Sequence, residues 1–228
     1  MSAPLALPFS TTEFFAVFAR YNDAVWPAQT VLLTLALTCI LAVSARAAGR
    51  TVGFILAVLW AWMAIAYHWA FFTSINPAAW GFGGLFLLGA AAFAWHALRG
   101  TLTFGRPAGV RGAVGALLVL YALVGYPVVE TLLGIRYPAA PTFGLPCPTT
   151  LFTIGMLMFA ERPAPRGVFA IPIAWALVGS YAAFGLGVAA DLGLLVAAAA
   201  GVAALVHAQD GRAAPRSGPL VSGVDRSR

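Results

Sequence analysis

Residues 136–160 read RYPAAPTFGLPCPTTLFTIGMLMFA, four prolines (Pro138, Pro141, Pro146, Pro148) running straight into an apolar stretch. Proline has no backbone N–H and its ring clashes with the preceding turn, so this stretch cannot begin as a long regular helix. A helix from Pro148 to Phe159 is only ~18 Å long, short of the ~30 Å hydrocarbon core of a bilayer. Two arrangements fit. Residues 137–147 form a plain outer loop above a short tilted span, or they dip into the membrane as non-helical chain. Irregular backbone at that depth is tolerated only when buried in protein or lining a wet cavity. A broken helix of this kind turns free N–H groups and a positive dipole end toward a ligand. Pro148 in the first turn, beside Thr149 and Thr150, suits such a start.

The rest of the chain sets that segment in a membrane. Of 228 residues, 61% are hydrophobic and 9% charged, with mean hydropathy +0.90. Soluble domains carry roughly 25% charged residues. Apolar runs of bilayer length recur, without the ten-residue alternation of a membrane β-barrel. An all-α, polytopic helical bundle follows. The net charge of +6 is carried by arginine alone. The arginines fall between apolar runs, so they read as orientation signals and not as a nucleic-acid surface. With no lysine, the chain has no Schiff-base residue for retinal. Cys39 and Cys147 are expected at different depths and unpaired.

The reading predicts seven spans, at about residues 25–45, 51–72, 77–98, 112–133, 143–160, 168–186 and 191–207. They form one membrane domain over residues 1–208, followed by a disordered cytoplasmic tail, 209–228, rich in Gly, Pro, Ser and Arg. Ahead of them, FSTTEF (residues 9–14) has capping-box spacing at Ser10 and Glu13, and Phe9 and Phe14 are placed for a hydrophobic staple. A short helix is predicted from there, lying in the interface with its apolar side in lipid. There is no basic n-region of a signal peptide. Arg46, Arg50, Arg99, Arg106, Arg111, Arg162 and Arg166 fall on one side and only Arg20 and Arg136 on the other. The positive-inside rule then puts the N-terminus outside and the C-terminus in the cytoplasm.

In that topology the unusual polar residues gather at the outer ends of the spans. Asp23 flanks the first, with Tyr21, Asn22 and Gln29. Tyr67 and His68 close the second and Asn76 precedes the third. Glu130, Arg136 and Tyr137 top the fourth; Cys147, Thr149 and Thr150 open the fifth, and Asp191 the seventh. Each has an ordinary structural reading. Asn76 before Pro77 is a good N-cap, Asp191 is placed to cap the seventh span, and Glu130 and Arg136 can pair as ions. Trp26, Trp69 and Trp80 suit an aromatic belt. An ionisable His68 at the edge of the hydrocarbon instead calls for a protein partner or a ligand. Taken as a group, these residues are the candidate ligand-binding set.

The stretches FFAVFARYNDAVWPAQ, AWMAIAYHWAFFTSINPAAW, YPAAPTFGLPCPTT and IPIAWALVGSYAAFGLGVAADLGLL resemble a bacterial family of small integral membrane proteins, domain-of-unknown-function family 6064, whose members are sometimes labelled transport permeases. The resemblance covers about residues 9–195. It implies a multi-pass protein of the bacterial cytoplasmic membrane and lends no catalytic residues. Three functions stay open. The first is binding or transport of a small polar or anionic solute or an ion through an outer-face cavity. The inner halves of the spans offer only Thr34 and Thr38 toward a conduction path. The second is a subunit or scaffold acting through protein partners. The third is an embedded enzyme in which His68, Cys147, Glu130 and Asp191 form a metal or nucleophile site; three histidines and no HxxxH or CxxC pair make that a weak signal. No cofactor and no nucleic-acid partner is expected beside the lipid bilayer, and the oligomeric state is open.

Overall fold

A computed structural model describes residues 7–44, 48–105, 108–161 and 165–213. Arg46, Arg106, Arg162 and positions 214–228 of the expected tail lie outside them. The chain is all-α. Helix α1 (Thr11–Val25) is followed by α2 (Ala28–Ser44) and α3 (Ala48–Trp62). Next come α4 (Ala79–Leu98), α5 (Val110–Leu120), α6 (Tyr126–Leu132), α7 (Pro146–Met158), α8 (Arg166–Leu186) and α9 (Gly193–Ala213). Five stretches are long and apolar enough to cross a membrane: Ala48–Ser74, Ala79–Leu98, Val110–Leu132, Arg166–Leu186 and Ala189–Val206. A sixth is added if α1 and α2, bent by 88° at their junction, count together. This is a multi-pass membrane protein. The count falls below the expected seven because α2 has 17 residues and α7 only 13.

The start of α1 forms as its sequence requires. Ser10 Oγ accepts from the Glu13 N–H at 3.2 Å, the Ser10 N–H donates to Glu13 Oε2 at 2.8 Å, and the Phe9 and Phe14 rings stack 5.7 Å apart. The expected lipid contact is corrected. Phe14, Val17, Phe18, Tyr21 and Asn22 are buried in protein, the aromatic rings meeting Tyr67, Phe71 and Phe72. Amphipathicity announces a buried face without saying what buries it. Here the ends of α3 and α8 and the proline loop do so.

Helix α7 is the axle of the bundle. Residues 148–158 are all buried, and α5, α8 and α9 pack around them. The α5–α7 crossing is close because Gly115 and Gly155 face each other. A Cβ at Gly155 would sit 3.0 Å from the Gly115 carbonyl oxygen. The far end of α7 meets the loop after α4: the Gly105 N–H donates to the Phe159 carbonyl and the Glu161 N–H to the Thr103 carbonyl, both at 2.9 Å. The start of α7 lies at the opposite end of the bundle, beneath α1. Helix α9 runs on to Ala213, past residue 209 where the tail was expected to begin.

Two helices widen into π-turns as they approach the α1 end. In one, Met63–Trp69 continues α3 and carries Tyr67 and His68. In the other, Tyr121–Gly125 joins α5 to α6 just ahead of Pro127. A proline cannot donate to the carbonyl four residues back, and a wider turn absorbs the missing bond. Both re-aim side chains toward the space under α1.

Candidate functional site

The proline loop is held by one buried side chain. Asn22, in the last turn of α1, donates from Nδ2 to the Pro138 carbonyl at 2.6 Å and the Ala140 carbonyl at 2.8 Å. Its Oδ1 accepts from Thr142 Oγ1 at 2.7 Å, and its own carbonyl accepts from Tyr137 Oη and Gln29 Nε2. Residues more than a hundred positions apart are thereby tied together. The chain then turns at Gly144, whose φ of +102° and contact with Leu32 leave no room for a Cβ. Its N–H donates to Thr149 Oγ1 at 3.0 Å. Helix α7 starts at Pro146, two residues before the expected Pro148. Neither proline has an N–H, and the Thr149 N–H donates to the Leu145 carbonyl. That leaves Cys147 as the first-turn amide free to meet a ligand, a poorer anion site than a free helix start.

Beneath α1, and against the start of α7, lies a cavity of about 300 Å³. This is at the small end of the ~300–1,000 Å³ usual for ligand pockets. Its walls are largely apolar, from Phe9, Phe14, Phe18, Phe72, Phe82 and Trp175, with Tyr67, Asn76, Tyr126, Cys147 and Asp191 as polar lining. Asp191 is 4% exposed. It sits in the 3₁₀ turn Ala189–Leu192 that leads into α9, and its Oδ1 accepts from the Tyr126 hydroxyl at 2.5 Å. The Cys147 thiol lies beside the same carboxylate. The expected helix cap is therefore corrected: Asp191 is spent on Tyr126 and the cavity. Glu130, one turn along α6 from Tyr126, is fully buried, and neither carboxylate oxygen has a partner. It stands within electrostatic reach of Asp191, Tyr126 and Cys147. The ion pair expected between Glu130 and Arg136 is not formed.

His68 is fully buried, and both ring nitrogens lack partners. Its ring packs against Phe86 at 4.6 Å, Trp175 at 5.1 Å and Tyr67 at 5.2 Å. It thus stands behind the aromatic wall and not in the cavity lining. Asn76 accepts from the Ala78 N–H at 3.1 Å within the turn before α4, but the expected N-cap is corrected: α4 begins at Ala79, with Ala78 in the cap position. Thr150 Oγ1 is buried without a partner. Asp23 is exposed and away from both cavities, and Tyr137, also exposed, belongs to the Asn22 clamp. Arg136 lines a second, open cavity of about 650 Å³ between α2 and α5–α6. That cavity is separated from the first by Tyr126, Pro141 and Pro148, which border both. Cys39 and Cys147 are free thiols. Among the described residues no three of His, Cys, Asp and Glu stand close enough together to hold a metal.

The sequence reading missed Tyr126 and Trp175. Trp175 lines the cavity and its indole N–H is buried and unpartnered. The only signal for either was an aromatic residue in a span close to a proline, Pro127 or Pro172.

Fold and site together define a multi-pass helical membrane protein with a partly open, acid-floored cavity under an N-terminal helix. The chain belongs to the family described as "Family of unknown function (DUF6064)", which matches residues 11–214. No curated protein and no solved structure matches it.

Proposed function

We propose that this protein binds a small amphipathic cation, such as an alkylamine, in the cavity under α1. The observation that carries the reading is Asp191: a buried carboxylate set among aromatic side chains, with the acidic Glu130 behind it and, among the described residues, no cationic side chain in the lining. A buried charge is costly unless paired, and an ammonium ion supplies the pair. Aromatic faces suit both its apolar body and its charge. The acidic floor therefore favours a cation over the anion that a free helix start would attract. Binding without conduction is the form favoured here. Below Thr153, α7 buries only Ile154, Gly155, Met156, Leu157 and Met158, and Thr34 and Thr38 sit on the exposed face of α2. The test is calorimetric titration of the detergent-purified protein with n-hexylamine, hexanol and hexanoate. Hexylamine is expected to bind and hexanoate not to, and Asp191→Asn to weaken hexylamine about tenfold to a hundredfold, in line with loss of a charge-assisted bond. Equal binding of hexanoate, or an unaffected Asp191→Asn, overturns the reading.

The reading includes seven crossings in the bacterial cytoplasmic membrane, with α1 and the cavity outside. Two features support it. The end of α7 lies against the loop after α4, so residues 133–160 pass from one end of the bundle to the other despite the short helix. Arg50, Arg99, Arg111 and Arg166 gather at that far end, with Arg20 and Arg136 at the cavity end, the asymmetry that the positive-inside rule turns into orientation. Tyr137→Cys is expected to react with an impermeant maleimide in intact cells, and Thr101→Cys only after permeabilisation. The reverse pattern would invert the topology.

A further inference from the structure

We infer that the open cavity between α2 and α5–α6 is a phospholipid site, holding the lipid phosphate at Arg136 and the start of one acyl chain in the groove below. The inference is independent of the amine reading. Helix α2 packs mainly on α3, which leaves its opposite flank apart from α5–α6. The gap has a polar rim of Gln29, Thr30, Thr131, Arg136 and Tyr137 and an apolar floor that includes Leu33, Ala122 and Leu123. Along the helix, the distance from Thr131 down to Ala122 is about 13 Å at 1.5 Å per residue. That depth accepts the upper part of an acyl chain.

The flanks of the groove are built for lipid. Leu37 and Leu41, further along α2, and Leu120, Val124 and Val128 on the other side, are large, apolar and exposed. The rim supplies the head-group chemistry. Arg136 is exposed, and among the described residues its guanidinium has neither a hydrogen bond nor an ion pair; its planar fork matches phosphate oxygens. Gln29 is 9% exposed and lines the same cavity; its amide oxygen is buried and without a donor, while its Nε2 is committed to Asn22. A hydroxyl on the head group supplies the missing donor. One ligand answers cation, orphan acceptor and apolar floor together, and a free phosphate leaves the apolar floor unanswered.

The experiment is native mass spectrometry and thermal unfolding of the full chain in detergent, titrated in parallel with phosphatidylglycerol, diacylglycerol and inorganic phosphate. Phosphatidylglycerol is expected to bind and raise the unfolding temperature, with diacylglycerol at least tenfold weaker and phosphate without effect at the same concentration. Arg136→Ala, an exposed position, is expected to weaken phosphatidylglycerol at least tenfold, with Arg136→Lys intermediate. Leu33→Trp, which fills the groove, is expected to weaken both lipids. Asp191→Asn is expected to leave lipid binding unchanged, which keeps this site distinct from the cavity. A full shift from phosphate alone makes this a soluble-anion site and overturns the proposal. Undiminished phosphatidylglycerol binding by Arg136→Ala overturns it as well.

Discussion

Asn22→Leu is expected to destabilise the protein by about 3–4 kcal/mol and to abolish ligand binding in the cavity. The Leu side chain is close in volume, so the cost is not a void. It is the loss of both Nδ2 bonds, to Pro138 and Ala140, and of the bond that Oδ1 accepts from Thr142. Each part-buried group left without a partner costs about 1–3 kcal/mol, reduced where water reaches it. In the hydrocarbon of a membrane no competing water exists to soften the loss, but the loop lies at the end of the bundle, so the lower half of the range applies. The loop carries Pro141 and Leu145 into the cavity wall, so its release opens the cavity on that side. Asn22→Asp keeps the acceptor for Thr142 but turns a carboxylate oxygen onto the Pro138 and Ala140 carbonyls, so a loss at least as large as that of the Leu variant is expected. Thermal unfolding in detergent, with hexylamine titration as the second readout, checks both variants. A Leu variant as stable as wild type would show that the loop is held by its prolines and not by Asn22.

This clamp also marks what the sequence could and could not disclose. Local signals were readable. Ser10, Glu13 and the Phe9–Phe14 staple act within one turn of helix, and the prolines up to residue 148 kept α7 short, while leaving open whether its irregular lead-in lay above the membrane or in it. The polar residues at the ends of the spans were readable as a group, and Tyr67, Asn76, Cys147 and Asp191 do line one cavity. Pairings were not readable. Asn22 to Pro138 and Tyr126 to Asp191 join residues more than sixty positions apart, and no periodicity encodes a partner at that separation. The same limit hid the role of α1. Its stripe of Phe14, Phe18 and Tyr21 is equally suited to lipid or to aromatic protein, because both are apolar. The π-turns were hidden as well. They arise where the helix ladder must absorb Pro127 and the end of α3, and they rotate Tyr67 and Tyr126 away from the faces that an ideal helix would give them.

Trp60→Ala is expected to cost about 3–4 kcal/mol, the low to middle part of the ~3–5 kcal/mol range for truncating a buried tryptophan. Trp60 is fully buried at the centre of the bundle, its ring 4.6 Å from Phe86 and 5.9 Å from Phe93, and its indole N–H donates to Thr153 Oγ1 at 3.1 Å. In a soluble protein part of that cost is transfer of the side chain from water. In a membrane the unfolded reference is itself apolar, so that part shrinks. What remains is lost dispersion contact around the void and the loss of the one bond that the indole donates to Thr153. Thr153 Oγ1 also donates to the Thr149 carbonyl at 2.7 Å, so it keeps one partner when the indole is gone. Trp60→Phe therefore isolates packing from hydrogen bonding, and a loss of about 1–2 kcal/mol is expected for it. Gly89 sharpens the argument: a Cβ there would sit 2.6 Å from the Trp60 ring, so α4 approaches α3 only because position 89 has no side chain. The double variant Trp60→Ala, Gly89→Ala puts a methyl into the space that the ring vacates. Its loss is expected to be smaller than that of Trp60→Ala alone, measured by thermal unfolding. Additive losses would show that α3 and α4 do not depend on the ring-on-glycine contact for their close approach.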